Sequence, residues 1–533
     1  MSKALLASKI VVGEEDPRIR TVPALRTAVW AVFGVAERGP HTTTLIQSYE
    51  EYNRIFGGYT TDAKDLPAAV QGYFENGGEF CYVTRVVHYA DITVATPSSV
   101  AATVTLEDRD DPTVDTLKVS AKSDGAWGNS LRITITAATS GSTTEFNLTV
   151  KNTAGVVLET WANLSMTDAS ERYVETIINN ANTGSNLITV LDLDSTSTSP
   201  DDLPALIADA ALTTGATGLT SLADTDFLGS EAGGTGLYRT AEISDITLMS
   251  VPGRTATAVA NGILTFLLNR DDLYCLAVLD PPANTSASGM VTYVKTTCSI
   301  FNLDERLSIF WPRIKVTNPN KTVYGADDTI TVPPSGHVCG VMARTDAARP
   351  GGVYLAPAGV ERGIIRGARA LEMTEVTNEK KRDLVYPANV NPITTKPGYA
   401  IHIDGHRTLK TNGNFPSISE RRGVFFIESS IKEAMAFAVH SNNDATLRST
   451  VERTIEQFLI GQMNVGAFAT RNPETAFLID VGEGLNTVAV QRAGILKARV
   501  GLNMQTPVDW VMLSFSRDVS AQGAAEAQAA QIG

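Results

Sequence analysis

The stretch from His402 to Asp480, HIDGHRTLKTNGNFPSISERRGVFFIESSIKEAMAFAVHSNNDATLRSTVERTIEQFLIGQMNVGAFATRNPETAFLID, decides the reading of this chain. Val424, Ile427, Ile431, Met435 and Ala438 recur at three- and four-residue spacing, so they share one face of a helix, and that face must be buried. Asn443 or Asp444 offers a side-chain oxygen to cap a second helix with apolar positions Leu447, Val451, Ile455 and Phe458. Gly461 is available to end it, and the two helices are expected to pack as a hairpin.

At 533 residues the chain exceeds one ordinary core, and a prior of roughly 150 residues per domain gives about three or four domains. Apolar residues make up 43% and charged residues 19%, a composition that folds. The formal charge is −14 and no run of Lys and Arg exceeds three, at Lys380 to Arg382, which argues against a nucleic-acid partner. Met1 to Val12 lacks the pattern of a secretion signal and no run approaches the ~20 apolar residues of a membrane span, so synthesis is expected to be cytosolic, without membrane insertion. Cys81, Cys275, Cys298 and Cys339 lack C-x-x-C spacing and read as reduced core thiols. The sequons at Asn147, Asn163, Asn284 and Asn320 carry no weight outside a secretory pathway.

Working outward, Ala28 to Val35 reads as a strand buried on both faces, followed by a short helix through Tyr49, Tyr52 and Phe56 and a strand from Phe80 to Val87. After Ala90 the composition turns to Thr, Ser and Val, with strand alternation at Leu131 to Ala137 and Phe146 to Val150. One helix interrupts this, expected from Asp168 with Glu171 as its capping-box partner and Val174, Ile177 and Ile178 as its apolar face. Asp91 to Ala223 therefore reads as a β-rich domain inserted into an α/β domain. From Phe227 the rhythm is strand, helix, strand: Ile246 to Val251, Ala256 to Leu268, Leu273 to Leu279, a helix over Gly289 to Cys298, and a strand over Leu307 to Val316. Such alternation predicts a parallel sheet faced by helices.

The wording of these segments resembles the contractile tail sheath protein family of bacteriophages, related to bacteriocin and injection-system sheaths. It lies in R-T-L (Arg407 to Leu409), R-R-x-x-x-F-I-E-x-S-I from Arg421, N-D, F-L, G-A and P-E-x-A-F from Pro473. It continues in A-V-F-G-V-A-E-R-G-P from Ala31, F-G-G, E-N-G-G-x-x-C-Y-V-T-R-V from Glu75 and A-W-G-N at Ala126. Further phrases are V-P-G, V-L-D-P-P, F-W-P-R-I-K-V-T-N-P from Phe310 and V-P-P-S-G-H-V-x-G-V-M-A-R-T-D from Val332. The resemblance implies a multidomain α/β and α+β protein: a subtilisin-like α/β core with a β-sandwich insertion and an α+β C-terminal assembly domain. The divisions expected are 1–21 as an N-terminal exchange arm, 22–90 and 227–396 as the two parts of the core, 91–226 as the insertion, 397–518 as the assembly domain and 519–533 as a tail.

Three constellations invite chemistry. A subtilisin-like fold prompts a search for a hydrolase triad, but no nucleophile turn is present; Ser335-Gly336-His337 is the nearest candidate, and Pro333-Pro334 marks Ser335 as a helix start. His402, Asp404 and His406 alternate and would share one face of a strand, yet Gly405 interrupts them, no Cys or His cluster completes four ligands, and the family resemblance puts His406 in a packing position beside Arg407. Gly229 to Gly236 lacks the Lys of a phosphate loop and reads as a turn between domains. No enzyme, cofactor or metal is expected.

The ends carry the functional expectation. Ser8, Lys9, Ile10, Val11 and Val12 form a short alternating strand cut off by Glu14, Glu15 and Asp16, and a lone strand needs a sheet edge. At the other end, Leu496 to Leu502 alternates, Gln505 to Asp509 turns, and Trp510, Val511, Met512, Leu513, Ser514 and Phe515 form a last strand. Sheath resemblance implies exchange of such terminal strands between neighbours. It also implies a helical homopolymer around an inner tail tube protein, with baseplate and tail terminator proteins as further partners, in a virion tail assembled in the bacterial cytoplasm. Arg448, Glu452 and Arg453 are expected to be exposed and to face the tube. The rival readings are a bacteriocin or secretion-type sheath, a subtilisin-like hydrolase, and a non-contractile surface-layer or capsid component.

Overall fold

The computed structural model describes residues 26–195, 202–270, 274–348, 351–509 and 512. Eight strands make the main sheet: β1 Trp30–Gly34, β2 Thr44–Ile46, β3 Cys81–Arg85, β4 Leu248–Ser250, β5 Leu276–Leu279, β6 Leu307–Trp311, β7 Val390–Thr394 and β8 His402–Ile403. Their spatial order is β2-β3-β1-β4-β5-β6-β7-β8. The six inner strands are mutually parallel, and β2 and β8 run antiparallel at the two edges. Trp30 to Phe33 are fully buried, as an unbroken apolar run in a sheet covered on both faces requires.

Among the helices on this sheet are α1 Tyr49–Phe56, α2 Asp65–Glu75, α3 Thr257–Leu268 and α4 Ser335–Asp346. The Ser48 hydroxyl accepts from the Glu51 amide to start α1, and Gly57 ends it. Helices α2 and α4 cross closely because their contact is made of glycine: a Cβ on Gly72 would lie 2.3 Å from the His337 ring, and one on Gly336 2.2 Å from the Ala69 carbonyl.

The strand expected over Leu307 to Val316 is two strands in different sheets. It breaks at Pro312, which has no amide to give a ladder. The second part, Ile314–Thr317, pairs antiparallel with Thr329–Val332 and Ala368–Leu371.

Residues 102–212 enclose a second apolar core between two antiparallel sheets. One has the order Val157–Leu164, Phe146–Asn152, Leu131–Ala137, Ile207–Ala211, and the other Ile188–Asp192, Asp115–Ala121, Thr103–Glu107. The helix expected from Asp168 starts at Val174 and ends at Ile178, with no side-chain cap. Asp168 and Glu171 lie in the preceding turns, so the capping box read there does not form.

The third core is C-terminal. Helices α5 Ile418–Ala434 and α6 Ala445–Val465 pack together, with the Phe426 and Phe458 rings 6.3 Å apart. Val424, Ile427, Val451 and Ile455 are buried as their spacing predicts. Asp444 caps α6 by accepting from the Leu447 amide at 2.7 Å. Gly461 does not end the helix; it lies inside, and Gly466, at φ +100°, terminates it. A two-stranded antiparallel sheet, β9 Phe477–Asp480 and β10 Arg499–Leu502, completes this module.

Candidate functional site

The carboxyl ends of parallel strands are where α/β proteins place their chemistry. There, Asp280 follows β5 and Ser335 opens α4. The Ser335 amide donates to Asp280 Oδ1 at 2.9 Å, its hydroxyl to Oδ2 at 2.8 Å, and the Gly253 amide to Oδ2 at 3.1 Å. Burial pushes the Asp280 carboxyl up to about 6 against these hydrogen bonds. Ser335 is buried, and its proton goes to a carboxylate instead of an imidazole. His337, two residues along the helix, packs against Gly72; burial lowers its pKa to about 4 and keeps it neutral. The arrangement is a cap for α4 supplied by a neighbouring strand, and it does not bring the two sequence candidates together as nucleophile and base.

The His402, Asp404, His406 alternation also disperses, because the strand ends at Ile403. His402 Nδ1 lies 2.8 Å from the Ala400 carbonyl, Asp404 pairs with Arg382 at 3.2 Å and Lys396 at 3.4 Å, and His406 bridges Ser417 Oγ at 3.0 Å and Asp509 Oδ1 at 2.8 Å. Arg407 Nη2 reaches the same carboxylate at 3.0 Å, so His406 and Arg407 act side by side in packing. Among the described residues no group of three or more His, Cys, Asp or Glu side chains could hold a metal ion. The Gly229 to Gly236 turn lies against the start of the insertion, where Thr235 Oγ1 donates to the Ile92 carbonyl at 3.1 Å. All four cysteines are buried and unpaired, and among the described residues no helix is long and apolar enough to cross a membrane.

The candidate assembly residues are divided. Ser8, Lys9, Ile10, Val11 and Val12 lie outside the described residues, as do Trp510, Val511, Leu513, Ser514 and Phe515; Met512 is described and almost fully exposed. Glu452 and Arg453 are exposed on α6, but Arg448, expected to be exposed, is half-buried. What the structure adds is the sheet that such strands would join. Strands β9 and β10 pair with each other in register from Phe477 opposite Leu502 to Asp480 opposite Arg499, and among the described residues no other strand joins this sheet. A two-stranded sheet is marginal alone, and its open edges are templates for a further strand.

Two features escaped the sequence reading, one local and one tertiary. Ser417 and Glu420 form a capping box at the start of α5, which S-I-S-E spells locally. Arg422 of α5 forms a buried ion pair with Asp346 of α4, the closest contact being 2.6 Å; no local signal announces a partner 76 residues away.

These features define a modular α/β protein in which Ser335, His337 and the His402 to His406 segment serve packing and whose C-terminal module carries a two-stranded sheet with open edges. Residues 235–409 match the family model of the phage tail sheath protein central domain. Solved structures agree in fold. The sheath of the PVC extracellular contractile injection system, in the contracted state, is 17% identical, with 98% of this chain and 100% of that one covered at a TM-score of 0.56. The contracted helical sheath of the anti-feeding prophage is 16% identical, covering 97% and 100%, also at 0.56. The sheath tail protein from Desulfitobacterium hafniense is 14% identical, covering 89% and 93%, at 0.55. Among curated proteins none matches.

Proposed function

We propose that this chain is the sheath subunit of a contractile phage tail, polymerising helically around an inner tube and shortening to drive that tube through an envelope. The observation that carries the reading is fold likeness to contracted sheaths over nearly the whole chain, together with the family match in its centre. An open helix arises from heterologous contacts whose rotation does not close. The tube, baseplate and terminator proteins are the partners of this role, and the virion tail its place. Within the subunit, 22–90 and 227–396 form a subtilisin-like core and share a mostly parallel sheet, whose last edge strand, His402–Ile403, comes from the assembly domain. Residues 91–226 form the insertion, 397–518 the assembly domain, and 1–21 and 519–533 the arm and tail.

Assembly proceeds by strand exchange: Ser8 to Val12 of one subunit and Trp510 to Phe515 extend a neighbour's C-terminal sheet. The open edges of β9 and β10 support this, since backbone pairing gives affinity largely independent of side chains. Glu452 and Arg453, and Arg448 in part, face the tube through weak, salt-screened contacts. Negative-stain microscopy of purified protein tests the reading and should show hollow cylinders. Ile10→Pro removes a ladder donor and should abolish them while leaving the melting transition of the monomer in place. Normal cylinders from Ile10→Pro, or sheets and shells from the unmodified chain, would contradict the proposal.

A further inference from the structure

Asparagine is a chemically labile residue, and least durable when glycine follows it. The next amide nitrogen can attack the side-chain Cγ, and glycine, having no Cβ, neither blocks that approach nor restricts the backbone rotation it needs. This chain has three such pairs: Asn76-Gly77, Asn261-Gly262 and Asn412-Gly413. Their surroundings differ. Asn76 is fully buried, and its Nδ2 donates to the Gly72 carbonyl at 2.8 Å and the Arg366 carbonyl at 3.1 Å. Its Oδ1 accepts from the Arg366 amide at 2.8 Å, and the Gly77 amide is itself committed to the Phe74 carbonyl at 3.2 Å. Asn261 is exposed but lies inside α3, where the helical ladder holds the Gly262 amide away from the Asn261 side chain. Asn412 has neither protection. It is exposed in a turn, and among the described residues neither its side chain nor the Gly413 amide makes a hydrogen bond.

We propose that Asn412 is a site of spontaneous modification, converting to aspartate and isoaspartate while the fold preserves Asn76 and Asn261. The Gly413 nitrogen bonds to Asn412 Cγ, the Cγ–Nδ2 bond breaks, and the amide group leaves as ammonia with the proton of the attacking nitrogen. Water then opens the cyclic imide at either carbonyl. One opening gives aspartate; the other gives isoaspartate, whose main chain runs through the former side chain and is one carbon longer. Nothing is oxidised or reduced. The position gives the change a consequence. Gly413 lies so close to the main module that a Cβ there would overlap Glu305 Oε1. Thr411 is pinned on the other side, its amide and hydroxyl each donating to Asn302 Oδ1 at 3.1 Å. A main chain lengthened between these two contacts gives up one of them, and the new carboxylate adds like charge beside Glu305. The same loop leads into α5, so the modified chain is loosened where the C-terminal module begins.

The test holds folded and urea-unfolded protein side by side at mildly alkaline pH. Products are mapped by peptide mass spectrometry, with isoaspartyl methyltransferase labelling to tell the two acids apart. In the folded chain Asn412 should react at least about tenfold faster than Asn76 or Asn261, which react only through local opening; in urea the three rates should converge to within a few-fold. Asp124-Gly125 and Asp404-Gly405 form the same imide, so the label is assigned peptide by peptide. An intact Asn412 in folded protein when the unfolded chain has reacted, or reaction at Asn76 or Asn261 that keeps pace with it, overturns the proposal. Asn412→Gln, whose longer side chain closes the ring far more slowly, should abolish the acidic form that isoelectric focusing resolves; its persistence at the same rate would place the reaction elsewhere. The isoaspartyl fraction should unfold at lower urea than fresh protein, and an unchanged midpoint would refute the loosening.

Discussion

Arg422 is where the C-terminal module is tied to the main one, and removing it should be among the most damaging single changes in the chain. Its Nη1 and Nη2 donate to Asp346 Oδ1 and Oδ2 at 2.9 and 2.6 Å, and Nη2 donates also to the Thr27 carbonyl at 2.7 Å. The two side chains are 4% and 5% exposed. Arg422→Met keeps the volume but leaves the buried Asp346 with the Thr27 hydroxyl as its remaining partner, and burial already pushes that carboxyl above its ordinary value with Arg422 present. Breaking one half of such a pair costs about 3–5 kcal/mol. The Thr27 carbonyl loses one donor but keeps the Thr247 hydroxyl at 2.8 Å, which limits that contribution to about 1 kcal/mol. A stranded carboxyl with a raised folded pKa carries its full penalty above that pKa and none below the unfolded value near 3.9, so the deficit against wild type should shrink as pH falls toward 4. Adding Asp346→Leu removes the second charge and should bring stability back to within about 2 kcal/mol of wild type. Urea unfolding read by tryptophan fluorescence, to which Trp30 and Trp311 report from the main core, measures all three proteins. If Arg422→Met costs less than about 1 kcal/mol, or the double variant is no better than the single, the buried pair is not what joins these modules.

His337 and Asp280 should act oppositely between pH 4 and 6. His337, near 4 when folded and near 6.5 unfolded, contributes stability that is complete above 6.5 and falls by about 3 kcal/mol toward pH 4, whereas Asp280, near 6 when folded, carries a penalty above 6 that lifts toward 4. His337→Asn should therefore gain relative stability on acidification and Asp280→Asn should lose it; equal pH profiles for the two variants in urea titrations would refute both assignments. Gly72→Val drives a side chain into the His337 ring and should cost at least about 2 kcal/mol, while Gly461→Ala, with open space around it inside α6, should stabilise by about 0.5–1 kcal/mol; thermal melts of both decide. Replacing 91–223 by a short Gly/Ser linker should leave a folded protein that still forms cylinders of smaller outer diameter, and a folded product unable to polymerise would make the insertion an assembly module.

What the sequence made legible was local. The burial of Val424, Ile427, Val451 and Ile455 follows from helical spacing, and the Asp444 cap from an acceptor placed at a helix start. Gly461 misled because a glycine in a helix is only a weak stop; the next one, Gly466, holds the left-handed conformation that ends α6. Leu307 to Val316 looked continuous because its apolar residues run through Pro312, yet a proline inside an apolar run should have divided it. His402, Asp404 and His406 share a face only while a strand persists, and this one ends at Ile403. Strand order, the hydrogen bonds from Ser335 to Asp280 and the pairing of Arg422 with Asp346 join residues 55 and 76 positions apart. Neither periodicity nor capping extends that far, so no reading of neighbouring residues could supply them.

The joint between the insertion and the main module differs in kind from their interiors. The main and inserted interiors are separate apolar clusters, whereas the insertion meets the main module through His41 and Asp124 at 3.0 Å and His88 and Asp226 at 3.1 Å. The C-terminal module is tied by the Arg422–Asp346 pair and also by apolar contact, since Val353 and Tyr354 of the main module belong to its core. Parting apolar surfaces costs about 25 cal/mol per Å² exposed, whereas polar groups that separate into water regain hydrogen bonds there, so their net loss is about 0.5–1.5 kcal/mol each. An insertion joined in this way can change its angle to the main module while both cores remain intact. The Arg422 pair, with both side chains buried and apolar packing beside it, should hold its two modules together, while the His41 and His88 joints, whose imidazoles are 20% and 30% exposed, give way. A subunit that rearranges without unfolding, as the proposed contraction demands, would therefore turn its insertion more readily than its C-terminal helices.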